Sequence, residues 1–77
     1  MQKSIAQLRI GEKGVITEFD CNLIPLKLIE MGCLPGNEVV LLQKAPLGDP
    51  LFLNINDSNL AIRLEMAKDI FIEISEE

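Results

Sequence analysis

Leucine or isoleucine occupies every second position in three segments of the second half of the chain, at residues 51–55, 60–64 and 70–74. A period of two is typical of strands that have one face in the core and the other in solvent. The alternation therefore predicts three strands, and it places Phe52 on the solvent face of the first. The turn-forming residues 57–59, Asp-Ser-Asn, predict that the first two of these strands form a hairpin.

Two further strands are predicted in the first half of the chain. Residues 15–19, VITEF, are rich in β-branched and aromatic side chains, which favour strands. Residues 38–44 contain the continuous apolar run VVLL, a pattern typical of a strand that is buried on both faces. Pro35 and Gly36 predict a tight turn immediately before this second strand.

One helix is predicted between these two strands, over residues 23–31, with Asn22 as its N-cap. Pro25 fits the first turn, where backbone N–H groups have no helical partner, and Gly32 predicts a left-handed stop. The helix is apolar nearly all round. It is therefore either packed deeply in the core or partly covered by another protein.

Two single helical turns complete the predicted elements. Ser4 and Gln7 have the spacing of a capping box, which predicts a turn over residues 4–8. Residues 65–69 are polar and compatible with a second turn. Five short strands and one helix in so short a chain predict a mostly β protein. The expected architecture is a small SH3-like barrel of antiparallel strands, because closing a sheet removes its exposed edges.

The length and the charge of the chain exclude several kinds of partner and location. The chain has 77 residues, enough for one domain, which we expect to span residues 1–77. Its net charge is −5 and its seven basic residues are scattered, which argues against nucleic acid and anionic lipid as partners. No apolar run reaches the roughly 18 residues of a membrane span, and the first residues lack the apolar core of a signal peptide. We therefore expect a cytoplasmic protein without direct membrane insertion.

Candidate catalytic and metal-binding residues are scarce. Histidine, the commonest metal ligand and proton shuttle, is absent, and no glycine-rich phosphate loop is present. Glu38, Asp49 and Glu65 lack the spacing of an ion-binding loop. A helix between Cys21 and Cys33 would separate them by about 15 Å, too far for a disulfide, so both are expected to be reduced core residues. We predict no enzyme activity, no cofactor and no metal site.

The connection between the strands at 38–44 and 51–55 reads KAPLGDP and is conformationally restricted. Pro46 and Pro50 fix φ, Gly48 can take a positive φ, and Asp49 can accept hydrogen bonds from nearby backbone N–H groups. One interpretation is a rigid connection that keeps a sheet edge from pairing. The other is a preorganised loop that presents the apolar side chain of Leu47 to a partner at low entropic cost.

Three blocks of the sequence carry a resemblance to a known family. They are L-x-E-M-G-x-x-P-G at 28–36, A-P-L-G-D-P at 45–50 and A-I-R-L-x-x-A-x-x-I at 61–70. In this order and spacing, the sequence resembles the FeoA family of ferrous iron transport accessory proteins over nearly its whole length. The resemblance implies an SH3-like barrel, a cytoplasmic location and no catalytic activity. It also implies partnership with FeoB, the membrane ferrous iron transporter that has a cytosolic guanine-nucleotide-binding domain.

The leading functional hypothesis is a binding module that docks on such a transporter and modulates its assembly or activity. Its expected contact surface combines one helix face, the restricted connection and one strand residue: Leu26, Lys27, Glu30, Leu47, Gly48, Asp49 and Phe52. The alternative is a regulatory domain resembling the SH3-like C-terminal part of iron-dependent repressors. Self-association through apolar surface stays open, and an enzyme is the weakest of the three classes.

Overall fold

A computed structural model describes residues 2–19, 22 and 24–74 of the chain. The described part forms a mostly β fold with two short α-helices and one 3₁₀ turn, Ile5–Gln7. The strands are β1 (Gln2–Ser4), β2 (Lys13–Phe19), β3 (Glu38–Lys44), β4 (Leu51–Ile55), β5 (Ser58–Ile62) and β6 (Ile70–Ile74), and the helices are α1 (Leu26–Glu30) and α2 (Leu64–Ala67).

The strands form a single antiparallel sheet in the order β1-β6-β2-β3-β4-β5. The register shifts once between β2 and β6, between Ile16 and Glu18, and once between β3 and β4, between Leu41 and Gln43. Such bulges bend strands and increase their twist, so they help the sheet to curl around a core. The first and last strands of the order, β1 and β5, form the two edges of the sheet.

The core is packed against one face of this sheet and is aliphatic. Inward positions of the strands alternate with exposed ones, and the turn over residues 5–7 and helix α2 each contribute to the core. Its buried members are Ile5, Leu8, Ile16, Ile24, Cys33, Val39, Leu41, Leu51, Leu53, Ile55, Ile62, Ala67, Ile70 and Ile72. The capping turn near the N-terminus is confirmed, because Gln7 Oε1 accepts a hydrogen bond from the backbone N–H of Ser4 at 2.9 Å.

The described chain contains six strands where five were predicted. The additional strand, Gln2–Ser4, pairs with β6, and its sequence QKS has no apolar alternation to reveal it. Strand β2 also begins two residues earlier than predicted and includes Gly14. A Cβ atom on Gly14 would lie only 2.9 Å from Cδ1 of Ile72. Glycine at this position therefore lets β2 and β6 pack closely.

The prediction that β3 is buried on both faces was wrong. Val39 and Leu41 are buried, but Leu42 is 46% exposed. Leu42 lies at the bulge between β3 and β4, where the ladder shifts by one residue. An extra residue at a bulge disrupts the local hydrogen-bond ladder and changes the direction of the side chains. The apolar run VVLL is therefore not buried on both faces of the sheet.

Helix α1 is shorter than predicted and begins four residues after Asn22, so Asn22 is not its N-cap. Pro25 occupies the N-cap position with φ −58° and ψ 140°, which is not helical. A proline disfavours the α conformation for the residue that precedes it, so the helix does not extend back through Ile24. The predicted stop is confirmed, because Gly32 has φ +104°.

The hairpin turn begins one residue earlier and ends two residues earlier than predicted. Asn56 and Asp57 form the turn with φ values of 51° and 65°, and Ile55 pairs directly with Ser58. Two central residues with positive φ are typical of a type I′ turn, the turn that matches the twist of paired strands. Strand β5 therefore ends at Ile62, and Leu64, predicted to be the last strand residue, begins helix α2.

Cys33 is a free, buried thiol, as predicted for a small core residue. Burial raises the pKa of the Cys33 thiol, because the surrounding side chains cannot solvate a thiolate. The same prediction for Cys21 falls outside the described residues.

Candidate protein-binding surface

The connection between β3 and β4 is closed on itself by backbone hydrogen bonds. The N–H of Ala45 donates to the carbonyl of Pro50 at 3.1 Å, and the N–H of Gly48 donates to the carbonyl of Ala45 at 2.7 Å. Gly48 has φ +86°, a conformation that favours glycine. At the tip, the side chain of Leu47 is 96% exposed. The connection thus presents one isolated apolar side chain on an ordered turn.

Asp49 ties this connection to helix α2. Its Oδ1 accepts a hydrogen bond from the backbone N–H of Leu64, the first residue of α2, at 2.8 Å. Arg63 occupies the N-cap position of α2 and its side chain makes no capping bond. The sequence predicted that Asp49 accepts a bond from its own loop; instead it satisfies one of the free N–H groups of a helix that is distant in sequence.

We expect Asp49→Ala to lower the free energy of unfolding by about 1 kcal/mol, the usual effect of losing a capping acceptor. Urea denaturation followed by circular dichroism would measure the change. Asp49→Asn keeps an acceptor oxygen at the same position and is expected to lose less. Unfolding of Asp49→Ala at the wild-type urea midpoint would show that the bond to Leu64 contributes nothing.

Helix α1 is a surface element, and none of its five residues is buried. Leu28 and Ile29 are half-buried and pack against the core. The other three residues point outward: Lys27 and Glu30 are exposed, and Leu26 is 68% exposed. The helix is therefore not packed deeply in the core, which was one of the two interpretations of its apolar sequence.

The outer face of β3, β4 and β5 carries an apolar patch, hereafter the outer groove. Phe52 is 38% exposed and pairs across the strands with Ala61. Leu42 extends the patch onto β3. These side chains line a shallow depression of about 440 Å³. Its full set of lining residues is Leu42, Gln43, Phe52, Leu53, Asn59, Leu60 and Ala61.

A second depression, hereafter the α1 groove, lies between helix α1 and the end of β5 and has a volume of about 230 Å³. Its lining residues are Pro25, Lys27, Leu28, Ala61, Ile62, Arg63 and Met66. The walls are mainly aliphatic, and among the described residues the charged members of the lining are the bases Lys27 and Arg63. In the part of the chain that the structure describes, neither base forms an ion pair or a side-chain hydrogen bond.

Arg63 also borders a third depression of about 340 Å³, together with Glu65, Met66 and Asp69. Both acids of this neighbouring depression are on or next to α2, and neither forms an ion pair with Arg63. Arg63 thus borders both an acidic depression and the α1 groove.

The structure brings together only some of the predicted contact residues. Lys27 lines the α1 groove and Phe52 lines the outer groove, and Ala61 joins the two because it lines both. Asp49 lies at the start of α2, next to Arg63. The remaining four, Leu26, Glu30, Leu47 and Gly48, line none of the three depressions.

Sequence reasoning did not identify Ala61, Arg63 or Met66 as surface residues of interest. The signal that could have found Ala61 is the hairpin register, since a turn at residues 56–57 pairs Ala61 with Phe52. Arg63 is indeed exposed, but it stands at the start of α2 and not in a strand. No local pattern indicates that it shares a groove with Lys27.

The described residues contain no group of three or more cysteine, aspartate and glutamate side chains arranged to hold a metal ion. Within the same ranges, no helix has the length and apolar character needed to cross a bilayer.

A family model for the FeoA domain matches residues 3–74, nearly the whole chain. The chain belongs to the FeoA family. A curated relative from Porphyromonas gingivalis, named as a fusion of Fe(2+) transport protein A and the Fe(2+) transporter FeoB, is 31% identical over 71 residues. That match covers 91% of this chain but spans only 8% of the relative's length.

Solved structures of FeoA proteins share the fold. The FeoA-like protein of Clostridium acetobutylicum superposes with a TM-score of 0.81 at 28% identity, covering 99% of this chain and 90% of that one. FeoA of Stenotrophomonas maltophilia, solved with zinc and described as a prokaryotic SH3 domain protein, gives a TM-score of 0.72 at 25% identity, with 91% and 88% covered. The predicted SH3-like architecture and FeoA resemblance are both confirmed.

A manganese-dependent transcriptional repressor is similar in fold only. It superposes on 96% of this chain with a TM-score of 0.81, but the identity is 12% and the match covers 42% of the repressor. The alternative hypothesis of a repressor-type domain thus receives support for its architecture and none for its function.

Proposed function

We propose that this chain is a cytoplasmic accessory protein of ferrous iron transport that docks on a FeoB-type membrane transporter and performs no catalysis itself. The observation that carries the proposal is the Porphyromonas gingivalis relative, in which a FeoA segment and a FeoB segment belong to one polypeptide. Covalent linkage keeps two modules at high effective concentration. A FeoA domain on a separate chain needs a non-covalent contact surface to achieve the same association.

Several features of the surface support a protein partner. The net charge of −5 and the scattered bases disfavour nucleic acid and anionic lipid. Leu47 is 96% exposed on an ordered turn, so its burial by a partner would gain apolar contact at little cost in loop entropy. The proposed contact surface keeps the predicted residues Leu26, Lys27, Glu30, Leu47, Gly48, Asp49 and Phe52.

The test is a direct binding measurement between the purified protein and the detergent-solubilised FeoB-type transporter from the same organism. Titrations with and without guanine nucleotide would show whether the nucleotide state of the transporter changes the affinity. We expect saturable binding in at least one nucleotide state. Absence of binding in every state would overturn the proposed docking.

We expect Leu47→Asp to weaken this binding at least tenfold, a loss of about 1.4 kcal/mol, because it places a charge where an apolar contact is proposed. Its unfolding midpoint should match wild type, since a side chain that is 96% exposed adds little to stability. Ile10→Asp is the matched control: Ile10 is 63% exposed in the turn before β2 and lies outside the proposed surface. Equal affinities for the two variants would contradict the role of Leu47.

A further inference from the structure

The α1 groove combines an apolar interior with two bases that have no ion-pair partner among the described residues. Its aliphatic walls come from Leu28 on α1, Ile62 on β5 and Met66 on α2, and Lys27 and Arg63 belong to the same lining. A volume of about 230 Å³ is below the roughly 300–1,000 Å³ of pockets that hold drug-sized ligands. The groove is therefore of a size to receive a single apolar side chain with its neighbouring backbone.

The charge of this groove is opposite to that of the whole chain. The protein has seven bases against twelve acids, yet the described residues that line the α1 groove include two bases and no acid. Neither Lys27 nor Arg63 has an ion-pair partner within residues 2–19, 22 and 24–74. Two bases in the lining of one apolar groove are complementary to a carboxylate attached to an apolar group, and such charge-assisted contacts are stronger than neutral ones.

The groove also continues onto a second apolar surface. Ala61 lines both the α1 groove and the outer groove, and its side chain is only a methyl group. Its cross-strand neighbour Phe52 is 38% exposed on the far side. A chain segment anchored beside α1 can thus pass over Ala61 and cover Phe52.

We propose that the α1 groove binds a segment of the partner protein in which an apolar side chain stands next to a carboxylate. The apolar side chain packs between Leu28 and Met66, and the carboxylate lies between Lys27 and Arg63. The rest of the segment crosses Ala61 to Phe52. This inference rests on the proposed function only for the identity of the partner; the chemistry of the segment comes from the groove itself.

The first test uses a small probe with this chemistry. N-acetyl-leucine, which joins one apolar side chain to one carboxylate, would be titrated into the ¹⁵N-labelled protein and followed by NMR. We expect saturating shifts at Leu28, Ala61 and Met66 with a dissociation constant of about 1–10 mM, and binding of N-acetyl-leucinamide at least fivefold weaker. Equal binding of the amide, no saturable shift, or shifts confined to other residues would overturn the proposal.

The second test uses the transporter and a pair of charge-matched variants. Lys27→Glu combined with Arg63→Glu reverses both bases of the groove, whereas Arg9→Glu combined with Lys13→Glu makes the same change in net charge on exposed bases before and at the start of β2. We expect the groove variant to bind at least tenfold more weakly than wild type and the control less than threefold. The control separates local contacts from the general effect of charge on association.

The outcomes distinguish this inference from the proposed function. If wild type does not bind the transporter, docking on that partner is overturned, while the N-acetyl-leucine titration still decides the chemistry of the groove. If wild type binds and the groove variant binds equally well, docking stands and the α1 groove is not its contact. An equal loss in both double variants would assign the effect to net charge and would also overturn the inference.

Discussion

Leu53→Ala is expected to lower the free energy of unfolding by about 2–5 kcal/mol. Leu53 is fully buried in the middle of β4, and its direct partners in the sheet are Leu41 on β3 and Leu60 on β5. Removing its side chain leaves a cavity where three strands meet, and the paired backbones limit how far the neighbours can relax into it. Small domains are stable by about 5–15 kcal/mol in total, so this one change removes a large share.

Urea denaturation monitored by circular dichroism would measure this loss, with Leu42→Ala as the matched control. Leu42 is 46% exposed at the bulge of β3, so the same truncation there is expected to cost less than about 1 kcal/mol. If the two variants unfold at the same urea concentration, the assignment of Leu53 to the core and Leu42 to the surface is wrong.

The elements that could be predicted from the sequence are those whose signal is local and strong. Strands β4 and β6 have the predicted bounds, since leucine or isoleucine at every second position identifies a strand with one buried face without knowledge of its partner. The stop at Gly32 was also predictable, because only glycine readily takes its φ of +104°. In these places local preference and the final fold agree.

The errors occur where the deciding interaction is distant in sequence or where a local rule was overlooked. Strand β1 exists because Gln2–Ser4 lies against β6, the far end of the chain. The bulge that exposes Leu42 is a property of the β3–β4 pairing and leaves no trace in the run VVLL. The turn at residues 56–57 contains no glycine, so its Asn-Asp pair gave a weaker signal than Asn-Gly would have given.

The candidate surface illustrates the same limit. Exposure of Leu47 and Phe52 followed from turn chemistry and alternation, and the structure has both side chains exposed. By contrast, Lys27 and Arg63 belong to different elements, and their meeting in one groove depends on how α1 lies beside the end of β5. The bond from Asp49 to the first N–H of α2 is likewise a tertiary contact. Contacts of this kind depend on the tertiary fold, so the sequence alone does not show which residues share a groove or a hydrogen bond.

Gly32→Ala is expected to lower the free energy of unfolding by about 2–4 kcal/mol, from two separate causes. The first is backbone strain, because a side chain at φ +104° is disfavoured. The second is a steric clash: a Cβ atom on Gly32 would lie 2.9 Å from Cβ of Asn56, in the turn between β4 and β5. Since that turn has its own fixed positive φ values, it cannot easily move away.

Gly36→Ala separates the two causes. Gly36 has a similar φ of +95°, but a Cβ atom there would have no heavy atom within 4 Å, so only the strain applies. Its expected loss is about 1–3 kcal/mol, smaller than that of Gly32→Ala in the same urea experiment.

Asn56→Gly, added to Gly32→Ala, removes the atom that the new side chain would meet. The double variant should therefore recover stability beyond the sum of the single effects, which a double-mutant cycle would measure. Additive effects would mean that the end of α1 and the hairpin turn are not in close contact.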